Sequence, residues 1–233
     1  MADQREILRA DVLDGTPHGT PHGFLTGVGH TGEPDPALLV PGGKLVLTKQ
    51  VHSAKAIAVE SPYPDHARPE VDGLVTKTPG VILGIVTADC APVLFADIDN
   101  GVIGAAHAGW RGAHYGVLEA TVRKMEELGA ERTNIAAAIG PTIAEENYEV
   151  GFDFYEQFED RHADFFRRGR PGKWHFNLPA YVLWRLESLN LGQVEDLGVD
   201  TYANPERFHS YRRATHQGKA QDGRQFSLIG LPD

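Results

Sequence analysis

Apolar residues along this chain fall into short runs, and those at 44–48, 56–60, 81–87, 92–98, 102–107, 135–139, 196–202 and 225–231 predict strands. Several are rich in Val and Ile. Three other stretches carry helical periodicity. Residues 113–128 place Leu118, Val122, Met125 and Leu128 at helical spacing and stop at Gly129, which tolerates the left-handed backbone that ends a helix. Residues 152–159 and 177–189 follow, the latter with Asn177 as N-cap and Val182, Leu186 and Leu189 on one face. Strands dominate the first half and helices are interspersed later, without clean strand–helix alternation. That pattern predicts an α/β or α+β fold and argues against a Rossmann fold. The Pro-rich stretches 32–42 and 61–69 are short enough for surface loops, no repeat is visible, and residues 1–233 read as one domain.

The central runs predict a hairpin. Asn100-Gly101 between 92–98 and 102–107 is a strong signal for a two-residue type I′ turn. In that register residue i faces residue 201 − i, so His107 lies opposite Leu94, on the face that Cys90 would share. Four extended residues still separate Cys90 from that pair by roughly 13 Å. A site shared by Cys90 and His107 therefore requires the chain to bend at Pro92, with Cys90 in a loop folded back towards His107.

Composition narrows the partners. A chain of 233 residues, 41% hydrophobic and with three tryptophans, can bury a substantial core. The net charge of −10 and the absence of a Lys/Arg block argue against nucleic acid as main partner, so a phosphate handled here is a small one met by a few arginines. Residues 1–20 hold no apolar run like a signal-peptide core, and no run of about 18 apolar residues occurs. These features predict a soluble, cytoplasmic protein with no membrane partner, and leave the oligomeric state open.

Candidate chemistry centres on Cys90, the only cysteine, which cannot form an internal disulfide. It sits in Thr87-Ala88-Asp89-Cys90-Ala91-Pro92, with His52 in Gln50-Val51-His52-Ser53 and His107 in His107-Ala108-Gly109-Trp110-Arg111-Gly112. A thiolate with two imidazoles can bind Zn²⁺ and leave the fourth tetrahedral position open. The separations of 38 and 17 residues are long for a compact zinc motif, and plain packing is the competing reading of a buried Cys. Placement of all three at predicted strand ends favours function.

Around them lie candidate anion and proton groups. The segment 107–112 leads from strand to helix, where glycines, free N–H groups and Arg111 favour an anion such as phosphate; a tight turn with Arg111 paired to a carboxylate is the alternative. Asp89 is a candidate general base, or a loop Asp capping a turn. Ser210-Tyr211-Arg212-Arg213 and Gly223-Arg224-Gln225 supply three arginines suited to anionic or ring-bearing substrates, or a solvated cluster. His18, His22, His30, His66, His162, His175, His209 and His216 have no comparable setting, and His114 lies one turn past Trp110.

These segments, with Ile139-Gly140-Pro141 and Tyr148-Glu149-Val150-Gly151, resemble the YfiH family in family order over residues 22–231. Its members are also called laccase-domain or polyphenol oxidase proteins and, more recently, purine nucleoside phosphorylases. The resemblance implies a single α/β domain of layered mixed sheets flanked by helices, related to the catalytic domain of cytotoxic necrotising factor. It also implies zinc held by His52, Cys90 and His107, and cleavage of adenosine, inosine, guanosine and methylthioadenosine by phosphate, with deamination of adenosine besides. One bacterial member has been linked to editing of peptidoglycan precursors. The chain departs from the family pattern at Gly27, where relatives usually carry arginine, at Asp200-Thr201 in place of Cys-Thr, and at Phe208-His209-Ser210-Tyr211 in place of Phe-Phe-Ser-Tyr. The lost arginine bears on phosphate affinity and substrate range.

The expectation is a zinc-dependent purine nucleoside phosphorylase with adenosine deaminase side activity. Asp89 is the proton-transfer candidate beside Cys90 and His107, Arg111 and Arg212 hold the anion, and Gln50 and Tyr211 complete substrate binding. Three alternatives remain at this point, the last of them a non-catalytic binding protein. A copper polyphenol oxidase fits poorly, because Met1 and Met125 are the only methionines for an axial ligand and no His-x-His pair occurs. A metal-free hydrolase acting on a peptidoglycan precursor would use Cys90 as nucleophile and His107 as base.

Overall fold

The computed structural model describes residues 5–14 and 20–232, so His18 and Met1 lie outside it. Among the described residues, three sheets organise the fold. The first has five strands in the order Ile7–Leu8, His22–Leu25, Gln225–Gly230, Val81–Thr87 and Lys44–Val46. The second has six, ordered Gln193–Asp196, Ala136–Ile139, Ala91–Asp97, Val102–Ala108, Gly73–Thr76 and Ala56–Ala58. Glu149–Gly151, Lys173–Phe176 and Phe166–Arg168 form a third, antiparallel sheet. Both larger sheets mix parallel and antiparallel pairs.

Burial on both faces explains the unbroken apolar runs. Along Ala91–Asp97, Leu94 and Ala96 face the five-stranded sheet and pack with Phe24, Leu83, Ile85 and Ile229. Val93 and Phe95 point the other way, against Val117, Leu118, Val122 and Met125 of helix Val117–Glu127 and against Tyr181, Val182 and Leu186 of helix Leu178–Glu187. A strand covered on both faces has no polar side to show as alternation. The result is a mixed α/β arrangement in which sheet packs on sheet and helices cover the outer face of the six-stranded sheet.

Local signals set most elements where the sequence places them. Asn177 caps Leu178–Glu187 by accepting from the Ala180 N–H at 3.1 Å, and Gly129 adopts φ +105 just past helix Val117–Glu127. Residues 113–128, however, belong to two helices, Trp110–Tyr115 and Val117–Glu127, broken at Gly116 with φ +101. The predicted helix 152–159 shortens to Phe152–Tyr155, and the predicted strand 196–202 is instead Gln193–Asp196 followed by irregular chain, an isolated bridge at Asp200 and a turn. Strands His22–Leu25 and Gly73–Thr76 and helix Tyr211–His216 go beyond the sequence expectation.

The hairpin register also differs. Asp97 pairs with Val102, leaving a four-residue connection, and His107 faces Pro92 instead of Leu94. The cause is the Asp97 side chain, which accepts from the Asn100 backbone N–H at 3.2 Å and from its amide at 2.8 Å, ending the ladder early. That two-residue shift brings His107 up to Cys90 without the expected sharp bend. Pro92 lies within a central strand at the end of its pairing with Ala136–Ile139: its carbonyl accepts from Gly140 N–H at 2.9 Å, one residue beyond the last pair, Val93 with Ile139, and only the reciprocal donor is missing there.

Candidate functional site

His52, Cys90 and His107 converge where the two large sheets meet. His52 lies on the crossing between strand Lys44–Val46 of one sheet and Ala56–Ala58 of the other. Cys90 occupies the bend just before Ala91–Asp97, as the sequence predicts, and His107 stands near the end of Val102–Ala108. Their ligand atoms lie within 4.8 Å of one another, with Cys90 Sγ 3.9 Å from His52 Nε2. Donors around one tetrahedral zinc stand about 3.5 Å apart, so this His–Cys–His set could hold a metal ion.

Gly109 makes the convergence possible. A Cβ on it would lie 2.9 Å from His52 Cδ2, closer than real Cβ contacts come, and 3.0 Å from Cys90 Sγ, tighter than most of them. The sequence reads this glycine as room for a ligand; the structure uses it as room for the ligating side chains themselves.

Electrostatics couple the three residues. Burial pushes the Cys90 thiol up, but His107 and His52 outweigh it and bring it down to about 6. Burial pushes His107 down, and the Cys90 sulfur and Asp72 outweigh that, raising it to about 9. Without a metal the pair is therefore a thiolate beside an imidazolium at neutral pH. A thiolate is also the form of cysteine that binds metal.

Asp72 carries no sequence motif that marks it as part of the site. Fully buried, it accepts from His107 Nδ1 at 2.8 Å, which requires the proton on Nδ1 and leaves Nε2 as the ring nitrogen available to the Cys90 sulfur or to a metal. Burial pushes its carboxyl up, yet hydrogen bonds from His107 and Ser53 hold it at about 2.

Asp89 serves as a structural clamp. Its Oδ1 accepts from Thr201 Oγ1 at 2.6 Å, and its Oδ2 from Ser210 Oγ at 2.9 Å and Arg212 N–H at 2.7 Å. It adopts φ +87, a left-handed backbone that Asp tolerates through its short polar side chain. Both oxygens are thus engaged, in contrast to the general base expected from the sequence. The clamp joins the Cys90 bend to helix Tyr211–His216, whose N-cap Ser210 also accepts from Arg213 N–H at 3.1 Å.

A cavity of about 970 Å³ opens over the cluster, lined by His52, Asp89, Cys90 and His107. Gln50, Tyr211 and Arg212, expected at the substrate, line it too. Gln50 pairs with the Val86 backbone through Nε2 at 2.7 Å and Oε1 at 2.8 Å, extending the sheet edge. Arg212 lies over the Tyr148 ring at 5.3 Å and donates to Glu149 O at 2.6 Å. Burial and the nearby Cys90 sulfur push the Tyr148 hydroxyl upward, keeping it protonated. Lys173, Arg224 and Tyr148 also line the cavity. No local motif marks Lys173, because its place follows from the third sheet, where it pairs with Gly151.

Arg111 does not join them. It is exposed and stacks 5.1 Å from the Trp110 ring, outside the cavity lining, so the anion-binding role expected of it is not met. The helix that it opens is anchored by Trp110 against Phe154 and Phe158, which turns the neighbouring side chain outward. Arg213 also stays out of the cavity, donating to the carbonyls of Thr201, Tyr202 and Phe208 and pinning the loop before its helix. At Gly27 a Cβ would lie 2.5 Å from Arg224 O and 2.9 Å from His209 Cδ2, so no side chain fits there without movement of the 223–224 backbone.

Comparison with known proteins agrees with this architecture. Residues 36–232 match the family model described as multi-copper polyphenol oxidoreductase laccase. Purine nucleoside phosphorylase of Deinococcus radiodurans is 42% identical over 184 residues, covering 78% of this chain and 68% of that protein. The Mycobacterium tuberculosis protein of the same name is 35% identical over 198 residues, 84% and 75% of the two chains. Among solved structures, YlmD from Geobacillus stearothermophilus superposes with a TM-score of 0.81 at 24% identity, covering 100% of this chain and 98% of that one. YfiH of Bacillus licheniformis gives 0.77 at 24% identity, over 90% and 92%. The chain therefore belongs to the YfiH family, the one whose model is described as multi-copper polyphenol oxidoreductase laccase.

Proposed function

We propose that this protein is a zinc-dependent purine nucleoside phosphorylase, converting adenosine, inosine, guanosine or methylthioadenosine and phosphate to free base and ribose 1-phosphate, with adenosine deamination as a second activity. One observation carries the reading: an open His–Cys–His cluster lies in a cavity that also presents arginine, lysine and tyrosine side chains. Relatives named purine nucleoside phosphorylase support the same assignment.

The residues divide the work by their chemistry. His52, Cys90 and His107 would hold the zinc, which when bound supplies Lewis acidity at that end of the cavity. Arg212 is held by its backbone N–H on Asp89 and by Glu149 O, so its guanidinium stands ready for phosphate at little entropic cost. Lys173 and Arg224 add cations on the same wall, taking the place foreseen for Arg111. Tyr148 and Tyr211 offer ring faces for a purine. Asp89 keeps the anion-binding helix in register with the Cys90 bend.

Copper with an axial thioether is poorly served, since Met125 is buried in the core with its sulfur 3.0 Å from where a Gly104 Cβ would stand. The deciding assay incubates zinc-replete protein with each nucleoside, with and without phosphate, alongside Cys90→Ser. Phosphate-dependent release of base and ribose 1-phosphate, lost in the variant, is the expected result. Release indifferent to phosphate, or none, refutes the phosphorylase reading.

A further inference from the structure

We propose that Asp72 is the positioning residue of the metal centre: one buried carboxylate that orients His107 through its ring and His52 through its backbone, so that both imidazoles face Cys90 before an ion arrives. The inference rests on the metal-binding reading of that site.

Five donors converge on the two oxygens of Asp72. Oδ1 accepts from His107 Nδ1 at 2.8 Å and from His52 N–H at 3.0 Å. Oδ2 accepts from Ser53 N–H at 2.6 Å, Ser53 Oγ at 2.8 Å and Val51 N–H at 3.2 Å. No donor is asked of residue 72, and the side chain is fully buried. Only a carboxylate meets that demand, because an amide would set its own N–H₂ against another donor.

Three consecutive amides can aim at one carboxylate only if the backbone turns sharply, and His52 accordingly takes φ +59. That conformation is unfavourable for a residue with a Cβ and persists only where the surroundings impose it. Asp72 is itself held from behind: its N–H donates to Lys55 O at 3.2 Å and its carbonyl accepts from His107 N–H at 2.8 Å. The carboxylate thus ties the loop bearing one ligand to the strand bearing the other. Neutralising it releases His52 to an ordinary backbone and frees His107 to change tautomer or rotate.

The test compares Zn²⁺ affinity of wild type, Asp72→Asn and Ser53→Ala by competition with a chromophoric chelator, together with the melting temperature of each metal-free protein. Asp72→Asn is expected to bind Zn²⁺ about 10- to 100-fold more weakly, and Ser53→Ala, which removes a single donor, to fall between it and wild type. A purely structural role would lower the metal-free melting temperature and leave the affinity of the folded protein unchanged, and that outcome overturns the inference. Nitrogen-15 NMR of the zinc-loaded wild type tests it without any variant: His107 should keep its proton on Nδ1, with Nε2 shifted by the metal. Zinc on Nδ1 would overturn the proposal, even if Asp72→Asn did not fold. A wild-type protein that takes up no Zn²⁺ would overturn the metal reading itself, and the inference with it.

Discussion

The Asp89 carboxylate accepts the backbone N–H of Arg212 at 2.7 Å, although the two residues are 123 positions apart. Because Asp89 precedes Cys90, this bond sets the distance between the Cys90 bend and the arginine that faces the same cavity. Asparagine at 89 tolerates the left-handed backbone, so Asp89→Asn isolates the hydrogen bonds from the strain. It is expected to lose about 1–3 kcal/mol of stability and to raise KM for phosphate more than for nucleoside, while metal content stays unchanged. Denaturant unfolding and steady-state kinetics read these; a variant with wild-type KM for phosphate would show that the clamp does not serve the anion.

Gly109 gives a sharper test of the metal cluster. A Cβ there would stand 2.9 Å from the His52 ring and 3.0 Å from the sulfur, so Gly109→Ala must displace His52 and crowd Cys90. Zinc content measured by atomic emission should drop well below that of wild type, with the circular dichroism spectrum retained. Full zinc occupancy in Gly109→Ala would mean that the cluster does not bind the ion as a unit.

Arg111 and Arg212 are both arginines of family motifs, yet only Arg212 lines the cavity. Arg111→Ala is expected to leave kcat/KM within about twofold of wild type, since its guanidinium rests on Trp110 at the surface. Arg212→Gln should reduce kcat/KM by roughly 100-fold through loss of a fixed cation at the phosphate. The reverse ranking would relocate the anion site to the turn at Gly109.

Metal-free Cys90 should react as a thiolate. With its thiol lowered to about 6 by the two histidines, alkylation by iodoacetamide should already be near its plateau at pH 7 and fall as pH drops through 6. Zinc should protect the sulfur. An active protein that resists chelators and is killed by alkylation would instead support the metal-free hydrolase.

Buried His22 predicts a pH effect on stability. Its Nδ1 lies 2.7 Å from Thr20 O and its Nε2 accepts from Ala10 N–H at 2.9 Å, a pattern that needs the neutral ring. Burial lowers its pKa below 6.5, outweighing the Thr20 hydrogen bond, so the unfolded chain takes up this proton first as pH falls. The stabilisation is therefore complete above about pH 6.5 and is lost progressively below it. His22→Gln, which does not titrate, should show a shallower decline in melting temperature from pH 7 to pH 5; an identical slope would remove His22 as a source.

The sequence by itself determined what depends on neighbours within a few residues. The caps at Asn177 and Gly129, the core strands and the unusual settings of His52, Cys90 and His107 are all of this kind, because periodicity, capping and local motif are short-range properties. Tertiary structure decided the rest. The Asp97 side chain, by capturing Asn100, chose the hairpin register that turns His107 towards Cys90. Strand pairing within the six-stranded sheet gave Asp72 its partner in His107, 35 residues away, and the packing of a distant helix gave Asp89 its donors. A carboxylate has no periodicity or spacing to announce which donors will reach it, and those donors are selected only when distant strands are laid side by side.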